Sequence, residues 1–352
     1  MNCYLCAAAL RAARFAWVAL FFLAMFVPAC SRTDAGGASG SAAASGSAKP
    51  RVVCTVGMIT DIVRRIAGER AEVIGLIGSG VDPHLYKPTR NDLVLLQEAD
   101  LVFYNGLLLE GRMSDSLVRL AREKPVVAVT EGLERDSLLE PPEFAGHSDP
   151  HVWMDVSAWS KVAPVIASAL SKLLPAHRGE FEARLGELQE ELRSLHTYVT
   201  SAVASIPAEQ RVLVTAHDAF NYFGRAYGIR VIGIQGISTE SEAGLNDINR
   251  LVDMLVEQRI GAVFVESSVS DKNVQALIEG AASRGHSVRI GGTLFSDAMG
   301  MEGTYEGTYV GMLDHNATTI ARALGGSVPP RGAHGKLTLS ANAAAPASQG
   351  VR

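Results

Sequence analysis

With 352 residues the chain exceeds what one compact core usually serves, so two domains are expected. A composition of 47% hydrophobic and 20% charged residues is that of a globular protein. The formal net charge of −5 leaves no basic footprint, which argues against nucleic acid as a partner.

In chain order, Arg11 and Arg14 precede the apolar run "FAWVALFFLAMFV", Phe15 to Val27. That run is too short to span a bilayer comfortably and reads as the core of a signal peptide covering residues 1–29. It ends in "VPAC", which places Cys30 where a bacterial lipoprotein carries its lipid. The alternative is plain secretion without a lipid at Cys30. Residues 30–50 are almost wholly Gly, Ala and Ser, the composition of a flexible tether. Lipid, tether and folded body together predict an exported chain, periplasmic or at the cell surface, held to a membrane without spanning it. Cys3 and Cys6 leave with the leader. Cys54, in "RVVCTV", reads as a small hydrophobe in a buried strand, so no disulfide framework is expected.

Short β-branched runs then alternate with helical patterns. "RVVCTV", "AEVIGLI", "DLVFYN" and "PVVAV" read as strands, with helices at about 60–68, 89–98 and 111–123. A second set comprises "RVLVT", "RVIGI", "GAVFVE" and "HSVRI", with helices at about 218–226, 242–258 and 271–283. Between the sets, Phe181, Leu185, Leu188, Leu192, Leu195, Val199 and Val203 recur at steps of three and four, bracketed by Pro175 and Pro207. The expected fold is α/β. Two lobes, each a small mostly parallel sheet flanked by helices, are joined by one long rigid helix. The expected boundaries are 51–178 for the first lobe, 179–205 for the connecting helix, 206–330 for the second lobe and 331–352 for a disordered tail. No short solenoid repeat is present.

Three of the nine histidines share a context: His84 in "DPHLY", His151 in "DPHVWMD" and His217 in "TAHDAF". Each falls at a predicted loop or strand end. His217 follows "RVLVT" at its carboxyl end, where open α/β sheets place ligands. Asp297, in the Gly-flanked "GGTLFSDAMG", is a fourth candidate. Three imidazoles and a carboxylate collected between two lobes would suit a divalent transition metal. No pair is close in sequence, so spacing by itself leaves each histidine either a ligand or a surface loop residue.

The phrases "GVDPHLYKPTRNDL", "ADLVFYNGLLLE", "DPHVWMD", "TAHDAFNYF" and "LFSDAMG", in this order, resemble the TroA-like, cluster A-I solute-binding proteins of metal ABC transporters. The resemblance runs from about Arg51 to about Gly325. It implies two α/β lobes bridged by a long helix. It also implies a metal held by His84, His151, His217 and Asp297. Manganese-selecting relatives tend to carry glutamate at the third position, whereas zinc-binding and mixed relatives carry histidine, as here. The His-rich loop of many zinc-type relatives is missing: residues 131–149 hold only His147. Zn2+ is therefore expected first and Mn2+ next, one ion per chain as transported ligand. The implied partner is an ABC permease, and the chain is read as a monomer.

Asp82 and Asp149 each precede a Pro-His, either as acceptors that orient the imidazoles or as initiators of Asp-Pro turns. Glu266 ends "GAVFVE" and is a candidate to face the pocket. Asp218 either borders the site or caps the helix that follows. Trp153 and Tyr86 are expected to wall the pocket. His147, His177, His196, His286, His315 and His334 read as surface or tail residues. The expected role is metal capture and delivery, not catalysis. The alternatives are a metal-dependent hydrolase, which would need an open metal position and a base, and a surface adhesin.

Overall fold

The computed structural model describes residues 48–338. The signal peptide, Cys30, most of the tether and the tail beyond residue 338 lie outside the described residues.

The first half builds β1 (Arg51–Cys54), α1 (Gly57–Ala67), β2 (Glu72–Gly75), α2 (Arg90–Glu98), β3 (Leu101–Tyr104), α3 (Ser114–Leu120) and β4 (Val126–Ala128). The strands form one parallel sheet in the order β2-β1-β3-β4. A parallel sheet is covered on both faces, so β1 beyond its first residue, Arg51, is apolar. Val52, Val53 and Cys54 of β1 are all fully buried. Burial pushes the Cys54 thiol up, away from reactive thiolate character.

Next come α4 (Val156–Trp159), α5 (Val162–Leu173) and the long α6 (Arg178–Ala204). At 1.5 Å per residue the 27 residues of α6 extend about 40 Å. Its buried stripe is Phe181, Leu188, Leu192, Leu195, Val199, Ala202 and Val203, with Leu185 half-buried against the same core. Each such aliphatic side chain contributes about 1.5–3 kcal/mol of burial free energy.

The second half comprises β5 (Val212–His217), α7 (Asn221–Tyr227), β6 (Arg230–Gln235), α8 (Leu245–Glu257), β7 (Ala262–Glu266), α9 (Lys272–Ser283), β8 (Arg289–Leu294) and α10 (Tyr309–Ala323). β5 pairs with β6 and β7 with β8, both parallel. β5 and β7 lie side by side without a continuous ladder. The expected α/β architecture with a bridging helix is present. One apolar core runs without a break from β1 and α1 through α5 and α6 into α7 and α10. The two lobes therefore share a core, which disfavours wide hinge motion.

Two features depart from the sequence reading. The helices α4, α5 and α10 had no counterpart in it. Most of the circumference of α10 is buried, including Asp314, Asn316 and Thr318. A helix covered on nearly all sides shows no amphipathic period to read. The tail was expected to be disordered from Arg331, yet residues 331–338 pack on α10. Both Asp314 oxygens accept from the Ala333 N–H, and Leu337 is buried. A buried carboxylate needs donors, and this segment supplies one.

Candidate metal centre

The segment after β2 carries His84. Asp82 Oδ1 accepts the His84 backbone N–H at 2.8 Å, an Asx-type turn. Downstream, Thr89 and Asp92 form a capping box at the start of α2, and the Tyr86 hydroxyl donates to Asp92 at 2.6 Å. The loop holding His84 is thus pinned at both ends. Tyr86 is engaged by this cap.

His151 precedes a single 3-10 turn, Val152–Met154. Asp149 Oδ1 accepts both the His151 backbone N–H at 2.9 Å and its Nδ1–H at 2.7 Å. Asp149 is itself held, since Asn221 donates to Oδ2 and the Tyr222 hydroxyl donates to the Asp149 carbonyl. Trp153 is fully buried with its ring 5.3 Å from that of His151, and its Nε1–H donates to the Ser296 carbonyl at 2.9 Å.

His217 is the last residue of β5. Glu266, the last residue of β7, grips it in the same way as Asp149 grips His151. Oε1 accepts the His217 backbone N–H at 2.8 Å and Oε2 the Nδ1–H at 2.5 Å. Asp297 lies in the turn between β8 and α10. The amide of Asn316 fixes that turn, accepting from the Phe295 N–H at 2.9 Å and donating to its carbonyl at 2.7 Å.

These side chains converge. One donor atom from each of His84, His151, His217 and Asp297 lies within 4.8 Å of the other three. The two Asp297 oxygens divide between the imidazoles: Oδ1 is 3.3 Å from His151 Nε2, while Oδ2 is 3.1 Å from His217 Nε2 and 3.5 Å from His84 Nε2. His84 is 4% exposed and the other three at most 1%. His217 Nε2 and both Asp297 oxygens have no hydrogen-bond partner among the described residues. Such groups are costly to bury unless something else satisfies them.

The electrostatics favour a cation. Burial disfavours charge on His151, but the Asp297 and Asp149 carboxylates outweigh it and push the imidazole up to about 9. Burial opposes charge on His217 too, and Glu266 and Asp297 raise it well above the usual range. His84 lacks such a partner on Nδ1, and burial holds it down to about 3 against the pull of Asp297. Burial would raise Asp297, but His217 and His151 beside it hold it well below the ordinary carboxylate range.

Residues 52–323 match the model of the ZnuA family, described as zinc-uptake complex component A, periplasmic. The chain belongs to this family. The zinc-binding protein TroA of Treponema pallidum (strain Nichols) is 49% identical over 289 residues, covering 82% of this chain and 92% of TroA. The manganese-binding lipoprotein MntA of Bacillus subtilis (strain 168) is 46% identical over 285 residues, covering 81% of this chain and 92% of MntA. The solved structure of the periplasmic zinc-binding protein TroA from Treponema pallidum superposes with a TM-score of 0.77, covering 78% of this chain and 99% of that one. The TroA-like resemblance in the sequence therefore corresponds to the family and the fold.

Among the described residues the Asp82 carboxylate hydrogen-bonds to the His84 backbone N–H and to the Thr239 hydroxyl, at 2.6 Å. Asp218 does not cap α7 at its N-cap, which is Phe220; it accepts from the Asn221 side chain instead. His286 and His315 are half-buried and donate to the carbonyls of Ile260 and Thr293, and so are not free surface residues. The sequence reading missed Asn221, Tyr222, Thr239 and Asn316. None of the four stands out locally: Thr239 lies in the polar "ISTESE" and Asn316 in "DHNATT".

Proposed function

We propose that this chain is an extracytoplasmic solute-binding protein. It captures one Zn2+ or Mn2+ ion on His84, His151, His217 and Asp297 and delivers it to an ABC permease for import. The observation that carries this reading is the buried set of inward-facing donors without partners, the Nε2 of His217 and both oxygens of Asp297. A divalent cation is what three imidazoles and a carboxylate satisfy together.

The chain's own residues account for capture. Asp149 and Glu266 accept the Nδ1–H of His151 and His217, which fixes each ring and leaves each Nε2 directed inward as the metal donor once its proton is displaced. Nitrogen donors favour Zn2+, and the carboxylate oxygens keep Mn2+ in range. The near-equal likeness to a zinc-binding and a manganese-binding relative supports holding both ions open. Release requires the donors to part. With α6 and one core shared by both lobes, that parting takes the form of local loop shifts.

Burial of all four side chains supports a held ion and no turnover. The lipoprotein name of the Bacillus relative supports an anchor at Cys30, with the folded body tethered outside the cytoplasmic membrane.

The test is metal stoichiometry. The purified chain, stripped with chelator and offered equimolar Zn2+ and Mn2+, should retain about one ion per chain by elemental mass spectrometry. His84→Ala and His217→Ala should each lower it. Full retention in both variants would overturn the proposal.

A further inference from the structure

His84 is held differently from the other two histidines of the site. Asp149 and Glu266 each grip both the backbone and the imidazole of their histidine. Asp82 grips only the backbone N–H of His84, and no carboxylate pairs with His84 Nδ1 among the described residues. His84 is also the most exposed of the four side chains, at 4%. Its position therefore depends on where Asp82 is held.

The second lobe holds it. The loop 236–244, between β6 and α8, reaches across to the first lobe. Its base is tied down by Gln235, whose amide donates to the Ser241 carbonyl, and by Asp247, which accepts the Gly244 N–H. At its tip, Thr239 is 7% exposed despite lying in a loop, and donates its hydroxyl to Asp82 Oδ2 at 2.6 Å. The next residue, Glu240, pairs with Arg112 of the first lobe at 3.4 Å. That rim pair is half-exposed and contributes little. The part-buried hydroxyl–carboxylate bond is the stronger link, because a hydrogen bond to a charged acceptor shielded from water is worth more than an exposed ion pair.

We propose that Thr239 is a positioning residue for metal capture. Through Asp82 it sets His84, so that the 236–244 loop couples the relative placement of the lobes to the most weakly held metal donor. Without the Thr239 hydroxyl Asp82 loses a tether, the His84 turn slackens, and the metal leaves faster. This rests on the metal-binding reading of the site and adds a residue that holds one of its donors in place.

The experiment compares the parent chain with Thr239→Val, Thr239→Ala and Thr239→Ser. Zn2+ release into a chromogenic chelator gives the dissociation rate, and Co2+ loading gives an absorption spectrum that reports the donor set. Thermal melts of the metal-free proteins show that each variant folds. The expected result is release about ten-fold faster in Thr239→Val and Thr239→Ala, with an altered Co2+ spectrum. Thr239→Ser, which keeps the hydroxyl, should stay within about two-fold of the parent. Alanine removes the hydroxyl without adding a buried methyl group, so it covers the case in which valine fails to fit. Parent-like rates and spectra in both hydroxyl-free variants would overturn the inference, as would equal loss in Thr239→Ser. A parent chain that binds no metal would instead overturn the reading of the site, and this inference with it.

Discussion

Glu266 holds His217 by two atoms at once, taking the backbone N–H on Oε1 and the Nδ1–H on Oε2. The strand ends of β5 and β7 are thereby locked together, and the imidazole has one orientation and one tautomer. Asp149 likewise takes both the backbone N–H and the Nδ1–H of His151, but on the single oxygen Oδ1, in a different segment of the chain.

The first prediction concerns that grip. Glu266→Gln keeps an acceptor but removes the charge that makes the imidazole a strong donor. Metal affinity should fall by about 10–100-fold, with the fold intact. Competition against a chelator of known affinity measures it. Unchanged affinity would mean that Glu266 serves only to join β5 to β7.

Protons compete with the metal. In the metal-free site the Asp297 and Asp149 carboxylates overcome burial and push His151 up to about 9, so its imidazole is protonated at neutral pH. Metal binding must displace that proton. Apparent affinity should rise with pH toward about 9, by about ten-fold per unit for each proton displaced. Calorimetry in buffers of different ionisation enthalpy should show net proton release at pH 7. Buffer-independent enthalpies would refute it.

The stability of the metal-free protein should respond to the same groups in opposite directions. His151 is raised from 6.5 to about 9, so its stabilising contribution is complete below pH 6.5 and is lost as pH rises through 9. His84 is lowered from 6.5 to about 3 by burial, so stability is lost as pH falls from 6.5 toward 3. Denaturant unfolding across pH should give a maximum near 6.5, and metal should flatten the alkaline side.

Asn316 offers a test of the turn that presents Asp297. Asn316→Leu would leave the Phe295 N–H and C=O without their partners. The expected cost is about 2–5 kcal/mol of stability, read from the unfolding midpoint. A cost near zero would mean that the Phe295 groups find other partners.

Cys54 should be inert. It is fully buried in β1, and burial pushes its thiol up. A thiol reagent should label it only in denaturant. Labelling at native rates would indicate that the first sheet opens readily.

Much of this protein was legible in its sequence because the physics there is local. Strands announce themselves as β-branched runs because parallel sheets bury both faces, and α6 as a stripe at helical spacing because only one of its faces is buried. The two Asp-Pro-His phrases left two roles open for their aspartates, turn formation or orientation of the imidazole. What the tertiary structure decided is what each turn became. Asp82 and Asp149 occupy the same place in the same tripeptide, yet one reaches across the lobes to Thr239 and the other turns back onto its own histidine. Packing from distant segments makes that difference: Asn221 and Tyr222 close over Asp149, while the 236–244 loop arrives at Asp82. The helix α10 escaped notice because burial on most sides erases the period by which a helix is recognised. Four side chains spread from position 84 to position 297 converge because a strand end (His217) and three loops that follow strands meet at one site, a relation that no local stretch of residues contains.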